Sequence, residues 1–119
     1  METKVFNNLE ELKKYYNEET NTYIFKEGED WLNVDIQFNI EITANINAWD
    51  IKARDIKAWD INARDINAWD INAWDIVFFA ICMARQTLVC DSITGERNNA
   101  KYLCLDSEPV IKQAKEENK

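Results

Sequence analysis

From Ile46 to Asp75 the chain reads INAWD-IKARD-IKAWD-INARD-INAWD-INAWD, six five-residue units without a break. A period of five matches neither the 3.6 of an α-helix nor the 2.0 of a flat strand. A continuous helix and a flat strand therefore both fail, and exact internal repetition points to a solenoid, in which one unit cannot bury its apolar side alone. Upstream, Val34, Ile36, Phe38, Ile40, Ile42, Ala44, Ile46 and Ala48 alternate strictly with polar residues and enter the repeat in phase. Ile and Ala are thus the inward positions of each unit. Asn/Lys, Trp/Arg and Asp point outward, with a corner at Trp/Arg-Asp where the alternation skips one step.

The five-residue period, with Asp before a large aliphatic in Trp49-Asp50-Ile51 and Arg54-Asp55-Ile56, resembles the pentapeptide-repeat family. The resemblance covers about residues 31–90. It implies a right-handed four-sided β-helix with four units, and so twenty residues, per coil. The chain departs from the family pattern in placing Trp or Arg where a small residue normally stands two positions before the large one.

A two-sided coil of ten residues is the rival. It would stack Arg54 on Arg64 and build unbroken Asp columns. At a strand spacing of ~4.8 Å, each like pair costs roughly 1 kcal/mol in water and more at a protein surface. Twenty-residue coils put Arg54 against Trp74, Trp49 against Trp69 and Trp59 against Phe79, and an Arg over an indole is favourable by about 0.5–1 kcal/mol. The four-sided coil is the expectation. Its interior columns are then Ile46/Ile66, Ile51/Ile71, Ile56/Ile76 and Ile61/Ile81, with Ala58 followed by Phe78 and Ala63 by Met83.

Three segments are expected: a helix-and-strand cap over residues 1–30, a mainly β solenoid of about three coils over 31–90, and a β meander with a charged tail over 91–119. In the cap, Asn8-Leu9-Glu10-Glu11 has the form of a capping box, and Leu9, Leu12, Tyr15 and Tyr16 share a helical face, giving a short helix over about 8–18. Thr22–Lys26 reads as a strand and Glu27–Asp30 as its turn. Ile76 to Ala84 is apolar throughout. A strand alternates faces, so about half of this run points away from the core, and with Ile81 and Met83 inward the outward set is Val77, Phe79, Ala80, Cys82 and Ala84. That face is covered by the tail or by a second copy, and a homodimer through Val77 and Phe79 is expected.

The chain has 119 residues, 22 Asp plus Glu against 14 Lys plus Arg, a net charge of −8 and no His. That sign argues against direct nucleic-acid binding through a basic surface. The absence of His excludes His-metal sites and His-dependent nucleophile activation. Two Gly and one Pro exclude glycine-rich phosphate loops. Cys82, Cys90 and Cys104, an odd count without C-x-x-C spacing, read as reduced thiols. Met-Glu-Thr-Lys has no apolar run behind it, and nine apolar residues are about half a membrane span. A cytoplasmic protein without membrane contact, metal or cofactor is expected.

Carboxylates are the only plausible catalytic groups, and six equivalent sites do not make the two distinct environments that paired-carboxylate chemistry needs. No enzyme is expected. Asp50, Asp55, Asp60, Asp65, Asp70 and Asp75 have an ordinary reading as turn residues bonding local amides. Trp49, Trp59, Trp69 and Trp74 read either as covers over neighbouring coils or as an interaction surface, since Trp is enriched in hot spots. With Glu27, Glu29 and Asp30 these residues form the candidate partner-binding set. The resemblance, which extends to gyrase-binding DNA mimics, implies an acidic protein inhibitor that mimics DNA and blocks a DNA-binding enzyme or nuclease complex, of a gyrase-directed or phage anti-CRISPR type. The alternative is a scaffold presenting a Trp/Arg surface to a protein partner.

Overall fold

The computed structural model describes residues 3–112. It is a mainly β solenoid of about five turns, with principal extents of 43 × 27 × 26 Å. Its strands stack in parallel along three faces. The first face carries Thr3–Phe6, Asn33–Ile36, Asp50–Ala53, residues 65–67, residues 81–84 and Lys101–Cys104. The second carries Ile40–Glu41, Asp55–Lys57, residues 70–72, residues 87–90 and Val110–Ile111. The third carries Thr22–Ile24, Asn45–Asn47, residues 61–63, residues 75–78 and Ser92–Gly95.

The alternation holds as read. Every Ile from Ile46 to Ile76 and every Ala from Ala44 to Ala73 is buried, while the Asn/Lys positions between them face outward. The size of the coil is a correction. Ile46 pairs with Ile61 and Ile61 with Ile76, Ile51 with Ile66, and Ile56 with Ile71. Each step is fifteen residues, so a turn has three sides, not four.

Interior volume supplies the reason. Each side contributes one Ile and one Ala inward. A square of equal sides has roughly twice the cross-section of a triangle for only a third more side chains, and a core must be filled at close-packed density. Three Ile from three sides close that space. Aromatic–cation stacking did not discriminate, because the fifteen-residue register also sets every Arg of the repeat against an aromatic or a Trp.

The interior changes where the repeat ends. Ala63 is followed by Phe78 and Ile71 by Leu88. Phe78 is larger than its predecessor, but the smaller Cys82 follows Ile66; the register shifts at the corners, where Phe79 and Ala80 stand opposite Arg64, and Arg85 and Gln86 opposite Trp69. An extra residue inverts the phase of everything after it. Hence Cys82 and Ala84, expected outward, are buried, and Ile81, expected in the core, is 40% exposed. The strands after Cys90 also differ from expectation. They pair in parallel with Asp75–Cys90 and so continue the solenoid rather than forming a meander. Gly95 is placed there by close approach, since a Cβ would run into Ala100 Cβ and meet the Phe78 ring at 2.8 Å.

The N-terminal cap is a 3-10 helix, Leu9–Tyr15, shorter and tighter than the helix expected over 8–18. Asn8 Oδ1 accepts from the Glu11 N–H at 3.2 Å, and the Glu11 carboxylate accepts from the Asn7 N–H, one residue before the capping-box position. Leu12 and Tyr15 are buried, with Tyr15 against Phe6 and Phe25, whereas Leu9 and Tyr16 are exposed. The cap ends in a hairpin, Lys26–Glu27 with Asp30–Trp31, turned by Gly28 at φ 63°.

Candidate interaction surface

Three corners run parallel to the solenoid axis, and the fifteen-residue turn decides what stacks on each. The six bulky positions of the repeat, in order Trp, Arg, Trp, Arg, Trp, Trp, pair first with fourth, second with fifth and third with sixth. On the first corner the Arg64 guanidinium lies 4.5 Å from the Trp49 ring centroid and 5.3 Å from that of Phe79. The second corner carries Arg54, Trp69 and Arg85, with Arg85 at 5.6 Å from the Trp69 ring. On the third, Trp59 and Trp74 stack at 4.8 Å with planes 7° apart. These contacts cover backbone and order long side chains, yet Trp69 remains 50% and Trp74 52% exposed.

The structure therefore does not gather the four candidate tryptophans on one face; it distributes them over three corners. Two corners border grooves. A cavity of about 510 Å³ runs along the first, lined by Trp31, Trp49, Arg64, Phe79, Asn47, Asn62 and Glu96 among others. Another of about 590 Å³ lies along the second, beside Trp69, Arg54, Asp55 and Asp70. Trp31, with Lys26 at 5.3 Å from its ring, had no signal in the repeat, because it precedes the alternation and reaches the groove only through the hairpin.

The six aspartates form three short rows beside the corners, pairing Asp50 with Asp65, Asp55 with Asp70 and Asp60 with Asp75. Each row is tied to the next turn. Asp60 N–H donates to Asn45 Oδ1 at 3.1 Å and Asp75 N–H to Asp60 Oδ1 at 3.2 Å. Ile81 N–H donates to Asp65 Oδ1 at 3.2 Å, and the hydroxyls of Thr87 and Ser92 donate to Asp70 and Asp75 at 2.8 and 2.6 Å. Rows two acids long, closed by donors, limit like-charge repulsion. Burial and the charge of Asp65 still raise the Asp50 carboxyl above its usual range, and burial with the Asp70 contact raises that of Asp55.

Of the remaining candidates, Glu27 is exposed but tied to the cap. Tyr15 Oη donates to its Oε2 at 2.8 Å and Lys4 Nζ lies at 3.5 Å. The Tyr15 bond holds the Glu27 carboxyl below its usual range, while burial and Glu27 push Tyr15 up to about 12. Glu29 and Asp30 are exposed on the hairpin. Val77 is half-buried on the third face, and Phe79 is part of the first corner against Arg64.

Cys82, Cys90 and Cys104 are free, and burial pushes the first two thiols up to about 12 and about 11. Among the described residues no three His, Cys, Asp or Glu side chains are grouped to hold a metal ion, and no helix is long and apolar enough to cross a membrane. No protein-family model, no curated protein and no solved structure matches the chain.

Proposed function

We propose that this protein is a non-enzymatic interaction module, a solenoid that presents its Trp/Arg corners to a protein partner. One observation carries the reading: aromatic and guanidinium groups are stacked into ordered ladders that still leave Trp69 and Trp74 half exposed, Trp69 beside an open groove. Ordering these side chains in advance lowers the entropy cost of a partner's binding, and Trp and Arg are the residues that dominate interface energies.

The DNA-mimic reading, an acidic inhibitor of a DNA-binding enzyme, draws less support. Eight net charges along a rod of 43 Å give far less than the one charge per roughly 1.7 Å of duplex DNA. Four of the repeat aspartates, Asp60, Asp65, Asp70 and Asp75, are also tied to backbone amides or hydroxyls. The three free thiols suit a reducing, cytoplasmic setting. Self-association belongs to the proposal too. Ser92–Gly95, Lys101–Cys104 and Val110–Ile111 pair only with Asp75–Cys90 among the described strands, leaving edges available to a second copy.

Affinity capture with the parent and with Trp49→Ala, Trp69→Ala and Trp74→Ala, at low and high salt, tests the reading. Capture that survives high salt and is lost in at least one folded variant supports it. Capture that collapses with salt and ignores all three variants would return the acidic-mimic reading.

A further inference from the structure

We infer that the first-corner groove binds a polyproline-type segment with a basic residue at one end; this deepens the reading above and rests on it. The aromatic rings of Trp49 and Phe79 stand two turns apart, roughly 9.6 Å at the usual strand spacing. One turn of a polyproline helix holds three residues and advances roughly 9.3 Å. Prolines at i and i+3 therefore fall in step with the two rings.

The rest of the groove matches what such a segment lacks. A polyproline helix has no internal hydrogen bonds, so its carbonyls need donors. Arg64 lies between the two rings, at 4.5 and 5.3 Å from their centroids, and places guanidinium N–H groups where the intervening carbonyls pass. Asn47 and Asn62 line the same groove one turn apart and add amide donors. A preformed extended helix on an aromatic groove is a recurrent recognition mode, because little conformational entropy is lost on docking.

Charge selects the end. Glu96 is the single carboxylate lining the groove, is exposed, and makes no ion pair among the described residues. It follows Phe78 by one turn, its N–H donating to the Phe78 carbonyl at 2.9 Å. A Lys or Arg just beyond the second proline reaches it. The net charge of −8 favours the same partner sign.

Titration calorimetry of the full chain with a short peptide of consecutive prolines ending in arginine tests this. Binding is expected, with Phe79→Leu and Trp49→Leu each weakening it about tenfold or more. Asn72→Ala, exposed on the second face, should leave it unchanged. Glu96→Gln should weaken the arginine-ended peptide and not one ending in alanine. Equal binding of a peptide with glycine at alternate prolines, or no binding by the folded parent, would overturn the inference. A captured partner that is lost in Trp49→Leu but not displaced by the proline peptide would retain the interaction-module reading and reject this one.

Discussion

Trp59 and Trp74 lie face to face, 4.8 Å apart and within 7° of parallel, one turn of the solenoid from each other. The Trp74 N–H donates to the Trp59 carbonyl at 2.7 Å, so backbone and side chain report the same register. Their separation in sequence is fifteen residues, and that number is a property open to experiment.

Deleting one whole turn, residues 56–70, joins Asp55 to Ile71 in the phase that Ile56 had. The shortened chain should fold cooperatively with the same β signature in circular dichroism and a lower melting temperature. Deleting twenty residues, 56–75, shifts every later side by one corner and should prevent cooperative folding. The opposite ranking of the two deletions would mean four sides.

Ile56→Asp or Ile61→Asp should unfold the protein. Both side chains are buried on the solenoid axis, where an isolated carboxylate costs several kcal/mol, comparable with the whole stability of a small domain. Asn62→Asp, on an exposed position of the same strand as Ile61, should melt within a few degrees of the parent. Thermal denaturation followed by circular dichroism separates the two.

Asp55→Asn should raise stability at neutral pH. Asp55 is paired with Asp70, and its folded-state pKa is raised by burial and by that neighbour. A raised carboxyl binds protons more tightly when folded, so its contribution is full below the ordinary carboxylate pKa and is lost as pH rises through the folded value. The variant's advantage should therefore shrink to nothing as the pH is lowered below the ordinary value. Tyr15 behaves alike at the alkaline end, where its contribution is present below its ordinary value of 10.0 and lost as pH rises through about 12. Denaturant midpoints across pH measure both, and an Asp55→Asn gain that grew on acidification would contradict the assignment.

Self-association should run through the last turn. Tyr102 is 43% exposed although its neighbour one turn earlier, Cys82, is fully buried, and Leu105 and Val110 are exposed close by. Light scattering should show a dimer near twice 14.0 kDa, and Tyr102→Lys should return it to the monomer mass by placing like charges across a self-complementary contact. A parent mass of one chain at every concentration would reject the dimer.

Much of the fold was legible in the residues because it is local. Alternation through Val34 and Ile46, the phase of Ile and Ala in each unit, and the corner at Trp/Arg-Asp all follow from the two-residue period of extended backbone. Neighbouring residues alone decide which side of the chain is apolar. The Asn8 cap was equally local, since its side chain reaches only the first turn of the helix.

How many sides close a turn was not local. It depends on filling a cross-section with side chains from residues fifteen apart, and on hydrogen bonds between successive turns that no short window contains. The same holds for the candidate site. The sequence named Trp49 and Phe79, but only the three-sided closure put both against Arg64, and only the N-terminal hairpin brought Trp31 beside them. The inward turn of Cys82 was decided likewise, by the extra residue at the Phe79-Ala80 corner. A strand's phase is inherited from every residue before it, so one extra residue at a corner reverses what the five-residue period predicts.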